Sequence, residues 1–148
     1  MSDWRERQGI DVVMTHGPPM GVLDAVQNGE HVGCEHLLRA VRRCRPKVHC
    51  FGHIHEGWGA QKVKWTAGKN LDVRKAEEHF QQVTPIKVDG QRMKDERAVR
   101  VDISRGGEDA VEFGQETLMV NASIMSVRYR PVQGPWLVDV DLEKADVD

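Results

Sequence analysis

The sequence predicts an α/β domain built on a parallel sheet. Two strand-like runs with a helical segment between them carry that prediction. "DVVMTH", residues 11 to 16, is an apolar, β-branched run that ends at His16 and is stopped by "GPP". "KVHCFG", residues 47 to 52, is a second short run of the same kind. Between them Cys34, Leu37, Leu38 and Val41 recur at the i, i+3, i+4, i+7 spacing of one helix face. Strand, connection, helix, strand is the order of a parallel α/β unit.

The elements follow in order. The first run is short and continuously apolar, as a strand buried on both faces is, and the two prolines after it make a rigid turn. Residues 17 to 33 form a long Gly- and Pro-containing connection. Connections of that length in compact domains are often functional. Arg42, Arg43 and Arg45 crowd the end of the helix, where cations suit the dipole, and Pro46 stops it. We read that arginine group as a solvated helix face rather than an anion site. Residues 61 to 116 are dense in mixed charge, with a helical pattern in "VRKAEEHFQQV" and turn-like "GQRMKDER" and "SRGGEDA". They are expected to form a surface insertion. "TLMVNAS", residues 117 to 123, resumes a buried strand. "PWLVDVDL" then alternates, with Trp136, Val138, Val140 and Leu142 on one face.

Length and composition set outer bounds. The 148 residues suffice for one domain with a modest core. A net charge of −2 gives no bulk attraction to nucleic acid or to an anionic membrane. No apolar run reaches the length needed to span a bilayer. The opening "MSDWRERQGI" is polar and has no apolar signal core, so a cytoplasmic location is expected. Cys34, Cys44 and Cys50 are odd in number and show no C-x-x-C spacing. They are expected as buried or partly buried thiols in a reducing compartment.

The chemistry concentrates in "HCFGHIHEGWG", residues 49 to 59. His53 and His55 stand two apart on a Gly-bounded turn just past the second strand. In parallel sheets ligands gather beyond the carboxyl ends of the strands. If the two strands are neighbours, His16, His53 and His55 converge on one edge, and neutral imidazole is the commonest protein metal ligand. An H-x-H on such a turn can aim its rings at two adjacent ions. Gly52 and Gly57 suggest positive φ or a close backbone approach. Glu56 is a candidate partner to orient an imidazole, balanced against a plain loop carboxylate; for Asp24 the loop reading leads. His31, His36, His49 and His79 have no such setting and read as surface or core residues.

"VVMTHGPP" followed by "FGHIHEG", together with "THGPPMGVLD", "GCEHLL", "RPKVHCFGHIHEGWG" and "VNAS", resembles the calcineurin-like metallophosphoesterases. The likeness is to their metallophosphoesterase-domain-containing branch, over residues 10 to 60 and 117 to 142. It implies a four-layer α/β/β/α sandwich with a two-metal site between its central sheets. By motif position, His16 and His53 resemble ligands of the second metal and His55 a ligand of the first. No catalytic residue is carried over. The implied cofactors are two divalent transition metals (Mn, Fe or Zn) that activate a water for in-line attack on phosphorus. The implied substrate is a small phosphodiester such as a cyclic nucleotide.

The departures matter as much. The family pattern also has D-x-H, G-D and G-N-H motifs, and this chain contains none of them. Residues 1 to 148 therefore read as one partial domain, the C-terminal half of such a fold. Metal occupancy and activity are expected to be impaired, and the chain is expected to self-associate. Two other readings stand beside it. One is a non-catalytic interaction or regulatory remnant of the fold. The other is a mononuclear site built from His16, His53 and His55.

Overall fold

A computed structural model describes residues 9–68, 71, 72 and 74–144. The polar opening stretch up to residue 8 and the first residue of "VRKAEEHFQQV", Val73, lie outside the described residues. The strands are β1 (Val12–Met14), β2 (Val48–Phe51), β3 (Gly59–Trp65), β4 (Phe80–Pro85), β5 (Val99–Asp102), β6 (Glu116–Asn121) and β7 (Trp136–Asp139). The helices are α1 (Glu35–Cys44) and α2 (Gly90–Glu96).

Five strands form one sheet in the order β1-β2-β6-β3-β4. β1, β2 and β6 run parallel, while β3 is antiparallel to both β6 and β4. The sheet is thus mixed, where the sequence predicts a parallel one. A parallel pair of β5 and β7 makes a second sheet. On one face of the large sheet Leu38 and Val41 of α1 pack with Phe51, Val63, Trp65 and Met119. On the other face Val48, Ala60, Leu118 and Val120 meet Val101 of β5 and Trp136 and Val138 of β7. This gives a mixed α/β arrangement of helix, sheet and sheet.

α1 forms where its apolar stripe and Pro46 predict, with Cys34 standing as its N-cap rather than on the helix face. The Cys34 sulfur accepts from the Leu37 N–H at 3.4 Å, and Arg45 closes the helix in the left-handed region. The arginines at that end do more than face solvent. Arg42 donates to the carbonyls of Thr66 and Gly68, and Arg45 to that of Gly114.

Residues 61 to 116 do not behave as a surface insertion. They supply most of β3, all of β4 and β5, and the buried side chains of Val63, Trp65, Val99, Val101 and Ile103. Charge density hid them, because Lys62 and Lys64 alternate with buried Val63 and Trp65 along β3. Lys62 stretches its ammonium to the Ala110 carbonyl at 3.0 Å. The helical pattern near residue 76 yields only a 3-10 turn, Ala76–His79, before β4. The alternation of β7 holds for Trp136, Val138 and Val140, which pack inward, but Leu142 is exposed. Among the cysteines, Cys34 is exposed, unlike the expectation, while Cys44 and Cys50 are partly buried. Burial raises the thiol pKa of both.

Candidate functional site

The site grows from one piece of register. β1 and β2 are parallel neighbours, with Val13 opposite His49 and Met14 opposite Cys50. The pairing continues past the strand ends, where the Gly52 N–H donates to the His16 carbonyl at 2.9 Å. His16 and His53 therefore leave their strands side by side. His16 Nε2 lies 3.1 Å from His53 Nδ1, with ring centroids 4.7 Å apart.

His53 reaches that position with φ of 69°. The left-handed region is uncommon for any residue with a side chain, although histidine enters it more often than most, and it persists where the surroundings hold it. Of the flanking glycines, Gly57 answers to close approach. A Cβ there would collide with the Leu23 carbonyl and lie 2.8 Å from Asn121 Nδ2. The positive φ of this turn falls on the histidine itself.

His55 opens a 3-10 turn, His55–Gly57, and is turned elsewhere. Its Nδ1–H donates to the Ser126 carbonyl at 3.0 Å, and Tyr129 meets its ring edge-on at 5.3 Å. That bond fixes the proton on Nδ1 and leaves the Nε2 lone pair available. Two of the three imidazoles meet and the third does not join them. Among the described residues no three His, Cys, Asp or Glu side chains are grouped as a metal cage. Glu56 is exposed and bonds to neither imidazole, so the group that orients His55 is the Ser126 carbonyl.

Asp24 is a buried loop carboxylate. It accepts from the N–H groups of Gly21 and Gly33 at 2.9 and 2.8 Å, and from His31 Nδ1 at 2.6 Å. It thereby folds the 17–33 connection on itself beside the site. His49 is fully buried in β2. Thr15 gives its hydroxyl proton to the Gly17 carbonyl, so at 2.9 Å it accepts from His49 Nε2–H. His49 Nδ1 is left buried without a partner. Burial lowers its pKa to about 4, which keeps it neutral.

Asn121 is the residue that sequence reasoning passed over. It ends β6 and is fully buried. Its Nδ2 donates to the carbonyls of Leu23 and Ile54 at 3.1 and 2.8 Å, and its Oδ1 accepts from the Ser123 N–H at 3.1 Å. Only its place in "VNAS" hinted at a role.

The facing nitrogens test the fit of a metal. With metal–nitrogen bonds of about 2.0–2.1 Å, two tetrahedral ligands stand roughly 3.3 Å apart. The His16–His53 pair at 3.1 Å fits two such corners.

No protein-family model matches the chain. Over 74 residues it is 45% identical to a UPF0046 protein of Caenorhabditis elegans, an alignment covering 45% of this chain and 19% of that protein. Over 68 residues it is 47% identical to the Homo sapiens protein named metallophosphoesterase domain-containing protein 1, covering 45% of this chain and 21% of that one. The Mus musculus protein of the same name matches equally. A protein of Emericella nidulans named probable rhamnogalacturonate lyase C is 42% identical over 65 residues, 42% of this chain and 6% of its own length. The chain spans about a fifth of the length of the worm, human and mouse relatives. The resemblance to metallophosphoesterase-domain proteins is thus shown over part of the chain.

Proposed function

We propose, from this partial kinship, that the chain carries part of the metal site of a metallophosphoesterase, a hydrolase of small phosphodiesters such as cyclic nucleotides. In the longer protein that site would sit in a four-layer sandwich. The observation that carries the proposal is the His16–His53 approach at 3.1 Å, reached through a strained His53 backbone. His16 Nε2 and His53 Nδ1 would hold one divalent cation, and His55 Nε2 would face a second.

A divalent transition metal such as Mn, Fe or Zn supplies Lewis acidity toward a phosphoryl oxygen and makes a water acidic enough to serve as nucleophile. The chain's own part is positional. The parallel strand ends set His16 beside His53, and the Ser126 carbonyl holds the His55 proton on Nδ1. In the metal-free chain one proton lies between His16 Nε2 and His53 Nδ1. A cation there would need both of those nitrogens as lone-pair donors, so the shared proton would have to sit on the far nitrogen of its ring. Two ligands on one cation are fewer than the three of catalytic zinc sites, so binding and turnover by these 148 residues are expected to be weak.

The test compares wild type with His53→Gly. Glycine removes the imidazole and also relieves the left-handed backbone. Calorimetric titration with Mn²⁺ or Zn²⁺ should show weak binding that His53→Gly abolishes. Its metal-free melting temperature should hold or rise. Unchanged metal binding in His53→Gly would overturn the ligand assignment.

A second reading, a non-catalytic interaction module, is favoured by one observation. β1 is an edge strand that exposes Val12 and Met14, the latter at 78%, with exposed Ile10 just before it. Self-association through that edge, with no metal bound at millimolar Zn²⁺, would support it over the first.

A further inference from the structure

Three segments far apart in sequence meet at one amide. Asn121 Nδ2 bonds Leu23, 98 positions away, and Ile54, 67 positions away, while Oδ1 takes the Ser123 N–H. Ile54 stands between His53 and His55. Leu23 belongs to the 17–33 connection and offers its carbonyl from a backbone with φ of 51°. Gly57, without a Cβ, leaves room for both the Leu23 carbonyl and the amide.

The histidine turn has few bonds of its own. The Ile54 N–H reaches the Gly52 carbonyl, the Gly57 N–H the Ile54 carbonyl, and the Trp58 N–H the His55 carbonyl at 3.4 Å. The Ile54 carbonyl therefore accepts from Gly57 within the turn and from Asn121 outside it. The outside bond is buried, and a fully satisfied buried amide specifies one geometry, because leaving any of its partners unpaired is costly.

We propose that Asn121 is a positioning residue for the His53–Ile54–His55 turn. Its Nδ2 holds the Ile54 carbonyl, sets the direction of both imidazoles relative to His16, and ties the 17–33 connection to them. The role belongs to the donor. An aspartate at 121 keeps the shape and the acceptor for Ser123, but sets a carboxylate oxygen against two carbonyls. The metal arm of the test rests on the proposed function; the geometric arm does not.

The experiment uses the 148-residue chain, with Asn121→Asp, the milder Asn121→Ser, and Val120→Ala as a control. Val120 is the buried neighbour on the opposite face of β6, so its truncation destabilises without touching the turn. Two readouts are taken: the ring ¹⁵N shifts of His55, which report its Nδ1–H tautomer, and affinity for Zn²⁺ alone. Asn121→Asp is expected to mix the His55 tautomers and weaken Zn²⁺ binding at least tenfold. Asn121→Ser, which retains one hydroxyl donor, should fall between. Val120→Ala should keep wild-type tautomer and affinity within twofold despite a lower melting temperature. Wild-type His55 shifts in both Asn121 variants, or losses in Val120→Ala that match theirs at equal melting temperature, would overturn the proposal. If wild type itself binds no Zn²⁺, the metal reading fails, and the His55 tautomer alone decides the role of Asn121.

Discussion

Acid should unfold this chain through His49 before its carboxylates do so. The imidazole is buried in β2, donates from Nε2 to Thr15, and strands Nδ1 against the apolar side of the sheet beside Phe51. Protonating Nδ1 would place an uncompensated charge there. Burial accordingly lowers the folded pKa from 6.5 to about 4. The sign follows from proton counting. Between those two values the unfolded chain binds a proton that the folded chain refuses. The contribution is complete above the unfolded pKa, falls away as pH drops from 6.5 towards 4, and is constant below that.

A folded pKa near 4 against 6.5 corresponds to about 3 kcal/mol in all, of which about 2.5 kcal/mol is lost by about pH 4.5. That is a large share of a small domain's stability. The assay is urea unfolding of wild type and His49→Gln across that range. Glutamine can still donate to Thr15 and does not titrate. Other acid-sensitive groups act equally in both proteins, so the difference between the curves isolates His49. The variant should be the less stable at neutral pH, and the gap should close by about 2.5 kcal/mol towards pH 4.5. Parallel curves would refute the reasoning.

Two further outcomes are expected. Asp24→Ala strands the N–H groups of Gly21 and Gly33, so it should cost about 3 kcal/mol and open residues 17 to 33 to protease; an unchanged urea midpoint with an uncut loop would contradict this. Gly57→Ala drives a methyl into the Leu23 carbonyl and should cost about 2–3 kcal/mol while shifting the ring resonances of both His53 and His55; a variant as stable as wild type with unmoved shifts would show that the turn has slack.

The parts of the fold that were legible are those whose periodicity is clean. β2 and β6 are short apolar runs, and β1 is one too, although it lies at the sheet edge with Val12 and Met14 exposed rather than buried on both faces as the sequence predicts; α1 has a stripe of Leu38 and Val41 with Pro46 behind it, and β7 alternates. β3 was hidden because Lys62 and Lys64 sit between its buried residues, and a charge-dense stretch reads as solvated unless the lysine stems are seen to pack. β4 was hidden because an edge strand exposes nearly every side chain and so carries no alternation. At the site, the meeting of His16 with His53 was readable, since parallel neighbours place their strand ends together. The separation of His55 was not, because it depends on a carbonyl 71 positions away. Asn121 was unreadable for the same reason. In one sequence an asparagine after an apolar run marks a strand end, and its three partners exist only once the chain has folded.

The turn from Gly52 to Gly59 is one place where the backbone leaves the regions most side chains prefer. Position 53 has φ of 69°, a region that glycine adopts freely and that asparagine, aspartate and histidine enter more often than other side chains. The histidine ring at this position is exposed and buries no core. The surroundings nonetheless hold it. Gly52 is bonded to His16, Ile54 to Asn121, His55 to Ser126, and Trp58 Nε1 to the Gly134 carbonyl. A left-handed histidine that contributes nothing to the core, with its neighbours bonded on four sides, stands out for what its side chain meets. Here that is the nitrogen of His16. The same reasoning makes His53→Gly the sharpest discriminator. If the histidine were structural, its removal would lower stability. If its place is set by what it binds, removal costs binding and leaves the metal-free fold as stable or more so.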